Sequence, residues 1–147
     1  METGGLYLVL GCGDVGFSIA RRLKCRADVV IIERDEKKVE QLVKSLYCAA
    51  VHGDFGSPDV LRRAGIEQAE AVIITTRRNP QSTERALEAI GKLKAQLKIS
   101  PLVLALVQDE IEVPHVKKLG ADEALPSAEI IADFVLGRLE ELKSKKA

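Results

Sequence analysis

This chain has few aromatic residues and no excess of either charge. Of its 147 residues only 3% are aromatic and none is tryptophan, while 22 basic residues balance 22 acidic ones. A chain without net charge and with so few aromatic side chains lacks the basic patch and the stacking platform that nucleic-acid binding uses. We therefore expect no nucleic-acid partner, and no electrostatic attraction to an anionic membrane surface.

Long apolar runs and a cysteine framework are also lacking. No run approaches the roughly 20 apolar residues that span a bilayer, and the first residues do not resemble an export signal. The three cysteines, Cys12, Cys25 and Cys48, show neither metal-ligand spacing nor a disulfide pattern. These absences predict a cytoplasmic protein with reduced thiols, no direct membrane insertion and no metal site.

What the sequence does contain is an alternation of short apolar runs and helical patterns. Six runs have the length of buried strands, and helix-like periodicity separates them. They begin at Leu6, Asp28, Tyr47, Ala71, Pro101 and Glu123. This order predicts one α/β domain over residues 1–147, a Rossmann-type, doubly wound, parallel six-stranded sheet. Its core covers about residues 6–126, and a C-terminal helix follows over about 127–143.

Several local signals predict where elements begin and end. Asp35, the pair Ser57–Pro58 and the pair Asn79–Pro80 are typical of helix N-caps. The third strand is predicted over Tyr47–Val51. Gly91 lies inside a helical pattern, where it costs about 1 kcal/mol relative to alanine. We therefore expect another element to approach Gly91 closely.

A glycine motif joins the first strand to the first helix. Gly11, Gly13 and Gly16 form G-x-G-x-x-G, and the positions between them are Cys12, Asp14 and Val15. In this setting the first glycine permits the turn, the second lets phosphates approach the backbone, and the third lets the helix pack on the sheet. The motif predicts a nucleotide whose phosphates lie at the helix N-terminus. The thiol of Cys12 is either packed in the turn or activated by that helix.

Glu33 ends the second strand about twenty residues after the glycine motif, as a dinucleotide site requires. Its carboxylate would accept hydrogen bonds from ribose hydroxyls and repel a 2′-phosphate, which favours NAD or an adenine nucleotide over NADP. Arg34 argues the other way, because an arginine there can hold a 2′-phosphate. We expect Glu33 rather than Arg34 to determine which nucleotide binds, since the side chains of neighbouring residues in an extended segment point to opposite faces.

Two further strand ends supply candidate binding residues. Gly53, Asp54 and Phe55 follow the third strand, on the rim expected to hold the adenine. Asp54 would either accept from the adenine amino group or hold the backbone of its own turn. Thr75 and Thr76 end the fourth strand, within reach of a ribose or phosphate.

Arg77 and Arg78 follow directly and would either clamp an anion or lie in a solvated loop. No Ser-His-Asp spacing, paired carboxylates or metal cluster points to catalysis. The sequence therefore predicts a binding module without catalytic residues rather than an enzyme. A small NAD-dependent oxidoreductase, or a fragment of one, is the competing class.

Several motifs in succession resemble one family of nucleotide-binding domains. The chain is similar to the TrkA-N domain of potassium-transport regulators, also called the KTN or RCK N-terminal domain, over about residues 6–140. The stretches that carry the resemblance are Leu8–Gly16, Val30–Asp35, Val51–Asp54, Leu61–Ile73 and Lys118–Pro126.

This resemblance implies a cytoplasmic regulatory domain that binds NAD(H), with ATP, ADP or AMP as alternatives, and gates a membrane potassium channel or transporter. It implies ribose binding by Glu33, adenine binding by Asp54 and a site role for Thr75. It also implies a homodimer or higher homo-oligomer in which the last helix crosses to the partner. That helix carries apolar residues on more than one face: Ile130, Ile131, Phe134, Val135 and Leu139.

The chain departs from the family pattern in two ways. It reads Thr76-Arg-Arg-Asn79 where the family often has an acid before the asparagine, which argues for phosphate-rich ligands. It also contains no counterpart of the smaller C-terminal ligand-binding domain that commonly follows. Similar domains are fused to hydrolase domains such as DHH-type phosphoesterases. A nucleotide-sensing domain appended to an enzyme is therefore an alternative function.

Overall fold

The computed structural model describes residues 4–146. Within that range six β-strands alternate with six α-helices. The strands are β1 (Leu6–Leu10), β2 (Asp28–Glu33), β3 (Ala49–His52), β4 (Ala69–Ile74), β5 (Leu102–Val107) and β6 (Glu123–Pro126). The helices are α1 (Asp14–Leu23), α2 (Glu36–Leu46), α3 (Pro58–Ala64), α4 (Pro80–Leu97), α5 (Val113–Lys118) and α6 (Ser127–Lys146).

The strands form one parallel sheet in the order β3-β2-β1-β4-β5-β6. The predicted Rossmann architecture is confirmed. Strand order reverses between β1 and β4, because β2 and β3 lie on one side of β1 while β4, β5 and β6 lie on the other. The carboxyl ends of these strands meet at one edge of the sheet, and ligands of such folds bind in the crevice at the reversal.

Each face of the sheet buries its own part of the core. Successive side chains of β1 alternate, so Leu8 and Leu10 lie on one face and Val9 on the other, all with no exposed surface. The first face packs against α3, α4 and α5, and the second packs against α1 and α2. The two layers of helices fix where each strand ends, and so they position the loops at the carboxyl edge.

The predicted caps of three helices are confirmed. The side chain of Asp35 accepts a hydrogen bond from the Lys37 amide at 3.0 Å at the start of α2. Ser57 caps α3 and Asn79 caps α4 in the same manner, each followed by proline at the first helical position. These caps satisfy backbone N–H groups that a helix start otherwise leaves unpaired.

The fourth strand begins at Ala69, two residues before the predicted Ala71, and two further local predictions are wrong. The third strand begins at Ala49 rather than Tyr47, because Tyr47 ends α2 in the left-handed conformation (φ 52°) and is 85% exposed. Gly91 has nothing within 4 Å of the position of an added Cβ, so no element approaches it. Periodicity locates a helix well, but it does not show what lies beyond the helix surface.

Helix α6 lies outside both halves of the core. None of its residues from 127 to 146 is buried, and Phe134 is 70% exposed. Ile130, Ile131, Val135, Leu136, Leu139 and Leu142 are also exposed along it. Among residues 4–146, no helix has the length and apolar character needed to cross a membrane.

Candidate functional site

A cavity of about 490 Å³ opens at the carboxyl edge of the sheet, where strand order reverses between β1 and β4. The turns after β1, β2, β3 and β4 and the first turn of α4 form its walls. Its lining residues are Gly11, Cys12, Gly13, Asp14, Val15, Gly16, Glu33, Arg34, Phe55, Thr75, Thr76, Arg77, Arg78, Asn79 and Ser82. The structure thus brings together thirteen of the candidate binding residues, Arg78 among them, and leaves Gly53 and Asp54 outside the lining.

The glycine turn has the geometry that its three glycines predict. Gly11 adopts a positive φ of 89°, which a side chain would strain. A Cβ on Gly16 would lie 2.4 Å from the Gly11 carbonyl oxygen, so α1 packs against the turn only with glycine there. Gly13, in contrast, is exposed, with nothing within 4 Å of an added Cβ. That open space leaves room for a ligand at the start of α1.

Thr75 holds the turn in place from β4. Its hydroxyl lies 2.9 Å from the carbonyl oxygens of both Leu10 and Gly11, to which it donates. The neighbouring Thr76 shares a 2.8 Å hydrogen bond with the hydroxyl of Thr83, in α4. Both hydroxyls are therefore hydrogen-bonded within the protein, and both residues still line the cavity.

Glu33 connects two loops as well as lining the cavity. It is only 8% exposed. One carboxylate oxygen accepts from the Cys12 amide at 3.2 Å and the other from the Asp35 amide at 2.8 Å. A carboxylate has about four acceptor sites, so these bonds leave capacity for ribose hydroxyls. This structural role in fixing the glycine turn was not part of the sequence prediction.

Arg34 does not point away from Glu33 as predicted, because both residues line the cavity. β2 ends at Glu33, so the alternation of side chains no longer applies at the next residue. The Arg34 guanidinium instead crosses toward α4, where Nη1 lies 3.4 Å from the hydroxyl of Ser82. Ser82 was not predicted as a site residue, because it lies inside α4 and belongs to no motif.

Asp54 holds its own turn. One of its oxygens accepts from the Gly56 amide at 3.0 Å, and the other pairs with the Arg85 guanidinium. The Gly56 hydrogen bond lowers the pKa of Asp54, partial burial opposes that shift, and Arg85 lowers the pKa further. Phe55, which follows, is buried and contributes an apolar wall to the cavity.

Cys12 is packed rather than activated. Burial raises the pKa of its thiol to about 11, and the nearby Glu33 carboxylate adds to the shift. The thiol is therefore protonated at neutral pH and is a poor nucleophile. No disulfide links Cys12, Cys25 or Cys48.

The β4–α4 loop brings positive charge to the cavity. Arg77 has a side chain only 12% exposed, and its Nη2 lies 3.5 Å from a carboxylate oxygen of Asp14. Arg78 is exposed beside it. The starts of α1 and α4 face the same cavity, and helix N-termini carry partial positive charge. Together these groups suit an anion, and residues 4–146 contain no cluster of three metal-ligating side chains.

The TrkA-N domain family model matches residues 7–126. The Trk system potassium uptake protein TrkA of Azorhizobium caulinodans is 40% identical over 70 residues, covering 47% of this chain and 15% of that protein. Potassium channel protein 1 of Methanocaldococcus jannaschii is 29% identical over 136 residues, covering 91% of this chain and 38% of that protein. The chain spans less than half the length of either relative.

Solved structures share the fold. The TrkA-N domain of the Escherichia coli inner membrane protein YbaL superposes with a TM-score of 0.79 at 21% identity, covering 95% of this chain and 99% of that one. The GsuK channel bound to NAD superposes with a TM-score of 0.73 at 17% identity, covering 85% of this chain and 22% of that one. The AMP-bound Kef CTD of Shewanella denitrificans superposes with a TM-score of 0.70 at 17% identity, covering 93% of this chain and 81% of that one.

At these identities the structural likeness concerns the fold alone, whereas the family match extends over most of the sequence. With its glycine turn, its sheet order and a family match from residue 7 to residue 126, the chain belongs to the TrkA-N domain family.

Proposed function

We propose that this domain binds NAD(H), or ATP, ADP or AMP in its place, and thereby regulates a membrane potassium channel or transporter. The observation that carries the proposal is the cavity at the reversal of strand order, where the glycine turn is open to a ligand at the start of α1. Potassium-transport proteins among the relatives, and neighbours of the same fold that hold NAD or AMP, support it.

In this proposal the phosphates of the ligand lie over Gly13. The space above that residue is empty, and the start of a helix presents N–H groups that have no partner within the helix. Arg77 and Arg78 flank the same cavity and supply the opposite charge. A diphosphate fits this arrangement because two neighbouring phosphates would meet both the helix start and the arginines.

The adenosine lies toward the ends of β2 and β3. Glu33 accepts from the ribose hydroxyls with the acceptor sites that its two backbone hydrogen bonds leave free. Phe55 offers an apolar wall for the base. Asp54 lies outside the cavity lining and is held by the Gly56 amide and Arg85, so we assign it first to shaping the loop.

Regulation requires two arrangements of the protein with different affinity for the ligand, since a ligand shifts an equilibrium only by that difference. Helix α6 supplies an element that can differ between them. Its apolar side chains are exposed in the single chain, and a patch of that kind marks an interaction surface. We assign it to the contact with a second copy in a homodimer or higher homo-oligomer, in the cytoplasm beside the channel or transporter.

Calorimetric titration with NAD, NADH, ATP, ADP and AMP tests ligand binding and ranks the ligands. Saturable binding of at least one of them is expected, and failure of all five would contradict the proposal. Incubation with NADH and carbonyl substrates separates the domain from a small oxidoreductase. We expect no NADH consumption, and turnover would overturn the assignment as a regulatory domain.

The potassium role needs the full-length protein with its transporter. Nucleotide-dependent potassium flux in reconstituted vesicles is the expected result. Nucleotide-dependent hydrolase activity with unchanged flux would instead indicate a sensing domain appended to an enzyme, such as a DHH-type phosphoesterase.

A further inference from the structure

Asp14 occupies an unusual place for a carboxylate in a cavity that suits anions. It is the first residue of α1, where backbone N–H groups have no partner within the helix. Its Oδ1 accepts from the Val15 amide at 2.8 Å and lies 3.5 Å from Nη2 of Arg77. An N–H at a helix start and a guanidinium are the two kinds of group that a ligand phosphate would use here.

The two members of this ion pair differ in how firmly they are held. The side chain of Arg77 is 12% exposed and that of Asp14 is 79% exposed. Arg77 is therefore fixed in the cavity wall, whereas Asp14 reaches it from solvent. The pair is long, at 3.5 Å, and its acidic member is exposed to solvent, so the attraction is weak and Asp14 can turn away at little cost. Gly13 beside it has open space above its backbone.

We propose that Asp14 is an internal competitor for the ligand phosphate. This inference rests on the proposed nucleotide binding. While the cavity is free of ligand, the Asp14 carboxylate accepts from the Val15 amide and pairs with Arg77. A phosphate over Gly13 displaces it and takes both partners. The carboxylate then remains close to the bound phosphate and repels it.

This repulsion sets the charge selectivity of the site. It lowers affinity more for a nucleotide with a terminal phosphate, such as ADP, than for NAD, whose two bridging phosphates carry less charge. It leaves adenosine unaffected, because adenosine carries no phosphate. Asp14 thus favours a dinucleotide over a mononucleotide of higher charge, although Arg77 and Arg78 attract both.

The test compares Asp14→Asn with the wild type by calorimetric titration of ADP, NAD and adenosine, at low ionic strength and with EDTA to exclude divalent cations. The asparagine keeps an oxygen that can accept from Val15 and removes only the charge. Asp59→Asn is the matched control, because Asp59 is an exposed acid in the first turn of α3 and does not line the cavity.

We expect D14N to bind ADP more tightly by on the order of three- to tenfold, NAD by a smaller factor, and adenosine as the wild type does. D59N should match the wild type for all three. Asp14→Ala, which also removes the acceptor, should gain at least as much ADP affinity as D14N. Gains of this pattern support the inference.

Suppose that the wild type binds ADP and that D14N binds it with equal or lower affinity. That result would overturn the inference and leave the proposed function standing. Weaker binding in particular would mean that the carboxylate contacts the ligand favourably. An equal gain for adenosine would also overturn it, because no phosphate is then involved. Absence of nucleotide binding in every variant would contradict both proposals.

Discussion

At the scale of single residues, Glu33 has two roles that are difficult to separate. It is the residue that the sequence assigns to the ribose, and its carboxylate also accepts from two backbone amides on different loops. Loss of ligand affinity in a Glu33 variant therefore does not by itself prove contact with the ribose. A change in folding stability must be measured beside it.

Glu33→Ala should lower the free energy of unfolding by about 2–4 kcal/mol, because it removes two charge-assisted hydrogen bonds and leaves their donors unpaired. Urea denaturation measures the loss. Glu40→Ala, on the exposed part of α2, should change stability by less than about 0.5 kcal/mol. Equal stability of the Glu33 and Glu40 variants would show that Glu33 does not fix the glycine turn.

The cysteines provide a second test at this scale. Burial raises the pKa of Cys12 to about 11, so very little thiolate exists at about pH 8, whereas Cys25 is exposed. Iodoacetamide should therefore alkylate Cys25 well before Cys12, as followed by peptide mass spectrometry. Alkylation of Cys12 at the same rate as Cys25 would contradict the packed position of Cys12.

At the scale of elements, the sequence predicts the sheet and its helices well because periodicity and caps are local signals. Asp35, Ser57 and Asn79 cap the helices that their positions predict. Arg34 was misplaced because alternation ends with the strand, one residue earlier. Ser82 was missed because a site residue inside a helix has no motif of its own, and only the packing of α4 on the sheet brings it to the cavity.

Gly16 tests the packing of α1 on the glycine turn. Alanine there would place its Cβ 2.4 Å from the Gly11 carbonyl oxygen, so α1 must move away from β1. Gly16→Ala should lose about 2 kcal/mol or more in the free energy of unfolding. Gly91→Ala is the control. Because Gly91 lies in an exposed part of α4 with open space around it, that change should gain up to about 1 kcal/mol. A Gly16 variant as stable as the wild type would contradict the close approach.

At the scale of the whole molecule, α6 is the element that a single chain does not explain. The sequence places apolar residues around it, and the structure leaves them exposed. Neither identifies what covers them, because a partner's surface leaves no signal in the periodicity of one helix. The family resemblance, rather than the fold, is the reason to expect a second copy there.

Phe134→Glu tests that contact. Phe134 is 70% exposed, so the variant should fold normally while a charge in an apolar interface opposes association. We expect light scattering to show a dimer or larger oligomer for the wild type and a monomer for the variant. Ser144→Glu, which adds the same charge near the end of α6, should associate like the wild type. A wild type that stays monomeric at high concentration would count against the homodimer.

The central claim is that the open glycine turn binds the phosphates of a nucleotide, and Gly13→Ala tests it most directly. Nothing lies within 4 Å of an added Cβ at Gly13, so the variant should fold with the stability of the wild type. The methyl group would fill the space that a phosphate needs. Calorimetric titration with NAD and ADP should therefore show at least about a tenfold loss of affinity, or about 1.4 kcal/mol, with Gly91→Ala binding as the wild type does. Unchanged affinity in a folded Gly13→Ala protein would place the nucleotide elsewhere and contradict the account.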